Sequence, residues 1–189
     1  MIIKLYKQAW NFLREIKKYI YFIAILFLVS GVLGIAYPLL FADIIQKLIE
    51  DVVSKTEGMG FLSLFWFIFQ NNSSTAFIGV LLGILVGIAP VLLCFFNGYV
   101  LGFVLNKSSS LGFFGILARI VPHGVFELPA LVISLALGLK LGLYLFMKKD
   151  KKKGFLYVAE KSLKVFLLVV LPLLLVAAFI ETCLMFLFR

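Results

Sequence analysis

"AFIGVLLGILVGIAPVLLCFFNGYVLGFVL", residues 76–105, carries no charged side chain from end to end. A helix rises 1.5 Å per residue, so about 20 apolar residues cross a hydrocarbon core of about 30 Å. The run is longer than one upright crossing needs, and Pro90 and Asn97–Gly98 interrupt it. Its reading decides how often the chain crosses: a long, tilted or broken helix is one leg, a hairpin is two. We take it as one leg. Its freed backbone groups must then be met by neighbouring helices, because lipid offers no hydrogen-bond partner.

The rest of the chain has the same character. Of 189 residues, 63% are hydrophobic, 16% aromatic and only 14% charged, which leaves too little polar surface for a soluble domain. The expected class is all-α, a single polytopic membrane domain. The net charge of +9 gathers at Lys4 to Lys18 and at Lys148 to Lys153 ("KKDKKK"), both beside apolar runs. Lysines that flank spans mark the cytoplasmic side and meet anionic headgroups. A nucleic-acid site would instead need a basic groove on a soluble fold, so none is expected.

Residues 2–20 place Leu5, Ala9, Phe12, Leu13, Ile16 and Ile20 on one helical face, and 1–18 read as a basic helix on the inner membrane surface that runs into the first span. Residues 19–41 are too long for a cleavable signal and read as an anchor with the amino terminus inside. Residues 43–56 repeat apolar pairs four apart and form an amphipathic helix. "FLSLFWFIF" (61–69) is too short to span and suits the headgroup boundary, which makes 43–71 an external interfacial segment. "NNSST" (71–75) then offers N-caps for the next helix. Spans follow at 126–147 and at 165–188, the latter kinked by Pro172, with a basic cytoplasmic loop at 148–160 between them.

Parity constrains the topology. Both lysine clusters belong on one side, so an even number of crossings separates them. Runs 19–41, 76–105 and 126–147 make three. The expected fold therefore has about five spans, with 109–121 as a short third crossing. The remaining possibility is that 76–105 is a hairpin and 109–125 re-entrant.

Gly79, Gly83 and Gly87 are spaced by four, as are Gly98 and Gly102, and Gly138 and Gly142. Such spacing sets glycines on one helix face, where a second backbone can approach, internal or from another chain. Arg119, His123 and Glu127 share the same spacing, but Pro122 and Gly124 interrupt it. We expect one helix to end there and another to start with Glu127 in its first turn, where the helix dipole favours an anion. Arg119 would pair with Glu127, and Asn97 would satisfy backbone groups left open by the breaks. Lys140 would reach towards the cytoplasmic lysines.

One histidine cannot build an HExxH zinc site, and no GxSxG surrounds a serine, so neither a metal, a cofactor nor a catalytic residue is expected. Cys94 and Cys183 read as small buried hydrophobes. A polar pathway for a small solute, ion or lipid around His123 and Glu127 stays open as an alternative.

The pattern "FNGYVLG" (96–102), a short linker helix, "VPHGVFELPALVISLALGLKLG" (121–142), a basic loop and a final span resembles the stage II sporulation protein M family. Asn97, Gly98, Gly102, Pro122, His123, Gly124, Glu127, Pro129, Ala130, Gly138, Lys140 and Gly142 carry the resemblance. It implies a multi-pass protein of the cell membrane, without catalytic residues, acting as a scaffold. In endospore formers such a protein would hold cell-wall hydrolase partners together during engulfment. The expected partners are membrane lipids, other envelope proteins or further copies of the chain.

Overall fold

Ala9, Phe12 and Ile16, three and four residues apart, are the buried stripe of the first helix, α1 (Ile2–Glu15). The computed structural model describes residues 2–84, 87–108, 123–144 and 154–187. Ile16 leaves helical geometry for one residue and is fully buried, which fixes the bend into α2 (Lys17–Ala36). The buried face of α2 is a single line through Tyr19, Ile23, Phe27, Ser30 and Gly34. Its other faces expose Ile25, Leu28, Val29 and Val32, as a helix bathed in hydrocarbon should.

After α2 comes the amphipathic helix α3 (Ala42–Thr56), then α4 (Phe61–Leu81). A tight 3-10 turn (Leu82–Ile84) and Gly87, with φ 72°, precede α5 (Ile88–Lys107). Gly87 takes a left-handed conformation that side chains resist. Pro90 sits in the first turn of α5, where no intrahelical amide bond is lost. The 76–105 run is therefore not one leg but the end of α4, a turn and α5.

The same finding corrects the reading of 61–75. Aromatic residues 61–69 and the polar "NNSST" belong to one helix, and the polar residues do not cap it. Thr75 Oγ1 instead donates to Asn71 O (3.0 Å), four residues back, so its hydroxyl is satisfied within the helix it was expected to start. Residues 61–71, read together with 43–56 as one segment, are the first half of α4 and separate from α3, which ends at Thr56.

The direction of each helix follows from the bonds between them. Cys94 Sγ donates to Ile23 O (3.3 Å) and Asn106 Nδ2 to Ile35 O (2.9 Å), a constant offset that makes α2 and α5 parallel. Two parallel legs need a return between them, and α4 supplies it. A π-helical turn (His123–Glu127) opens α6 (Leu128–Tyr144), which ends beside the start of α2, with Lys140 over the Tyr19 ring. The last helix runs without interruption from α7 (Phe155–Val165) through a second π turn (Phe166–Val170) to α8 (Leu171–Leu187). It starts beside α6, with Tyr144 and Phe155 rings 6.4 Å apart. It finishes beside the start of α4, where Phe61 meets Phe179 and Phe186. Five legs thus alternate in direction.

Four of them, residues 17–36, 88–107, 124–144 and 155–187, are long and apolar enough to cross a membrane. The fifth, α4, is as long but carries the polar residues 71–75 at its centre. The short crossing expected at 109–121 lies outside the described residues. Of the loop expected at 148–160, residues 155–160 are helical, in α7, and 148–153 lie outside the described residues.

Both π turns have one cause. Each is followed, two residues on, by a proline: Pro129 after Glu127 and Pro172 after Val170. Proline gives no amide to the carbonyl four residues earlier and its ring presses on that carbonyl, so the preceding turn widens. At the second turn Leu171 N–H accordingly bonds Phe166 O, five residues back. The irregularity expected at Pro172 takes this form.

The centre of the bundle is α6. Ser134 to Leu139 are six consecutive buried residues, so every face of the helix is covered, by α2, α4, α5 and the last helix.

Candidate functional site

Two seams of small residues hold the legs together. In the first, Gly98 and Gly102 of α5 lie on Ser30, Gly31 and Gly34 of α2. A Cβ on Gly102 would fall on the Gly31 carbonyl oxygen, and one on Gly98 on the Ser30 hydroxyl. In the second, Gly79, Gly83 and Gly87 lie on Leu135, Gly138, Leu139 and Gly142 of α6. Here the backbones of Gly83 and Gly138 are in direct contact, and a Cβ on Gly142 would strike Gly83 and Gly87. Both glycine faces are therefore occupied within this chain. Close backbone approach of this kind gains dispersion contact, which matters in lipid because apolar burial alone gives no net drive there.

Polar groups pin the first seam. Tyr99 is 1% exposed and its hydroxyl donates to Tyr37 O, just past the end of α2. Phe41 packs edge-on against the Tyr99 ring at 5.2 Å, and Ile45 of α3 is fully buried on Tyr99 and Phe103. This anchors α3 to the bundle by one side. Tyr99→Phe should cost about 0.6 kcal/mol, the usual worth of an interhelical bond in a membrane, measured by steric trapping in bicelles.

The polar residues singled out in the sequence do not form one group. Asn97 Nδ2 donates to Leu93 O (2.8 Å) of its own unbroken helix, not to backbone freed by a break. His123 and Gly124 lie in the π turn, which packs against α8, and Glu127 ends that turn half-buried. Arg119 and Pro122 lie outside the described residues, and so does the expected pairing of Arg119 with Glu127. Lys140 is 13 residues beyond Glu127, about 20 Å along the helix, at the opposite end of α6. There its ammonium stands 5.4 Å from the Tyr19 ring centroid, and Lys18 Nζ stands 4.9 Å from the same ring. Among the described residues, no three His, Cys, Asp or Glu side chains come together as a metal would need.

Sequence reasoning missed Ser30, Gly31 and Gly34, although "SGVLG" is itself a small-residue pattern. It missed Tyr19 and Lys18 too, since nothing local marks them.

A family model described as stage II sporulation protein M matches residues 22–184, from early α2 to late α8. The chain belongs to that family. Two uncharacterized proteins of Methanocaldococcus jannaschii are similar to it. One is 30% identical over 182 residues, covering 87% of this chain and 80% of the relative. The other is 33% identical over 123 residues, covering 60% and 66% respectively. No solved structure matches the chain. The stage II sporulation protein M match takes in both glycine seams, the π turn before α6 and the Lys140 end, and leaves α1 outside.

Proposed function

We propose that this member of the stage II sporulation protein M family is a non-enzymatic scaffold of the cell membrane, which organises partner envelope proteins or copies of itself. Its amino terminus, α1 and the lysine-rich stretch 148–153 face the cytoplasm, and α3 lies on the outer surface, as the charge distribution requires. The observation that carries this reading is the filled centre: residues 134–139 of α6 are all buried, and the Ser134 hydroxyl is spent on Leu131 O (2.8 Å) of the same helix. A bundle with a packed, apolar centre suits holding better than passing a solute.

What it offers to others lies outside the seams. Helix α3 exposes Ile44, Leu48, Ile49, Val52 and Val53 beside its charged side chains, and only Ile45 is buried. This outward row is the surface assigned to membrane contact and partner engagement.

The test uses single cysteines at 119, 123 and 127 in a chain lacking Cys94 and Cys183, treated in membranes with small water-soluble thiol reagents. All three should stay unreactive while the protein is folded, and a photo-crosslinker at Val52 should give a discrete protein adduct. Labelling from either side would point to a wetted path and favour a transporter. Loss of every adduct at Val52 would remove α3 from the scaffold.

A further inference from the structure

Between the start of α2, the start of α5 and the end of α6 lies a groove of about 550 Å³, within the range of about 300–1,000 Å³ common for small-ligand sites. Its inner wall is Tyr19, Val91, Leu139 and Leu143. Its lips are Phe22 and Leu92, 50% and 62% exposed on flanks that face hydrocarbon, so the groove opens towards lipid. At its mouth stands Lys18, and Lys140 reaches the same Tyr19 ring.

Two cations on one aromatic ring are no more than about 10 Å apart, and each repels the other. Among the described residues, no carboxylate lies within ion-pair distance of either ammonium. The ring quadrupole steadies both charges but cannot neutralise them. Lys18 is in the first turn of α2 and Lys140 stands four residues before the end of α6, so both belong to the same end of the bundle. Charge at one end and apolar walls along the rest call for a ligand built the same way.

We propose that this groove is a binding site for one anionic phospholipid of the adjacent leaflet. The phosphate lies between Lys18 and Lys140, and an acyl chain follows Phe22, Leu92 and Leu143. Basic pockets between membrane helices hold acidic headgroups by the same combination. The site rests only on the chain spanning a membrane, so its failure leaves the scaffold reading untouched.

The full chain, purified in detergent, is titrated with phosphatidylglycerol or phosphatidylcholine and observed by native mass spectrometry. Phosphatidylglycerol should be retained one to one, in preference to phosphatidylcholine, and millimolar inorganic phosphate should not displace it. Lys18→Gln should weaken retention about fivefold, as expected for one lysine at a membrane surface. Lys18→Arg should keep it, and Lys18→Gln with Lys140→Gln should lose more. Lys4→Gln with Lys7→Gln, on α1, should change nothing. Because Lys18 is exposed, its single variant tests the site even if Lys140→Gln fails to fold. Equal retention of phosphatidylcholine, displacement by phosphate, or unaltered binding in the Lys18 variant would overturn the proposal.

Discussion

Gly102→Leu should leave no folded bundle in the membrane. The first atom of the new side chain would fall on the Gly31 carbonyl oxygen, with Gly34 Cα only 3.0 Å away. Both neighbours are backbone, so no rotamer change can make room, and α2 and α5 must separate. Overpacking of a filled core costs about 1–3 kcal/mol where side chains can yield, and more is expected where they cannot. Separation would also strip the bonds from Cys94 and Asn106 to α2 and release α3, which is held through Tyr99 and Ile45. The readout is the fraction of protein that runs as a single species in detergent size exclusion and resists mild denaturant. Gly60→Ala is the matched control: a Cβ there meets nothing within 4 Å and Gly60 has an extended backbone, so stability should not move. A well-folded Gly102→Leu protein would mean that the two helices are not in backbone contact.

Composition was enough to read a membrane protein, and the apolar runs with the parity of the two lysine clusters gave about five legs. Which stretches form the legs was harder. Residues 76–105 look continuous because hydropathy does not register a turn made by Gly87, and Pro90 gives the same signal inside a kinked helix as at a helix start. Conversely, "NNSST" looks like a boundary, yet a hydroxyl that bonds back to its own helix, as Thr75 does, costs a helix little. Glycine spacing was informative because it reports geometry directly, but it could not tell which helix would cover each face. The Lys18–Tyr19–Lys140 cluster was illegible for a different reason: its members come from helices more than a hundred residues apart, and only the fold brings them together.

The second seam predicts a coupling that the first cannot show. Leu135→Ala empties a fully buried site at the centre of α6 and should cost about 2–5 kcal/mol. Gly79→Ala alone should cost about 1–3 kcal/mol, since its Cβ would stand 2.6 Å from Leu135 Cδ2 and push that side chain off its rotamer. Together the changes oppose each other: the new methyl enters the space the leucine has left, and the clash disappears with its cause. The double variant should be more stable than the sum of the single losses by about 0.5–3 kcal/mol, the span seen for residues in contact. Gly142→Ala in the same Leu135→Ala background should show no such relief, because the atoms it strikes are the backbones of Gly83 and Gly87. Steric trapping of all five variants against the parent chain measures both cycles. Equal coupling at positions 79 and 142 would show that the seam yields as a whole, and that α4 and α6 are not held in register by these individual contacts.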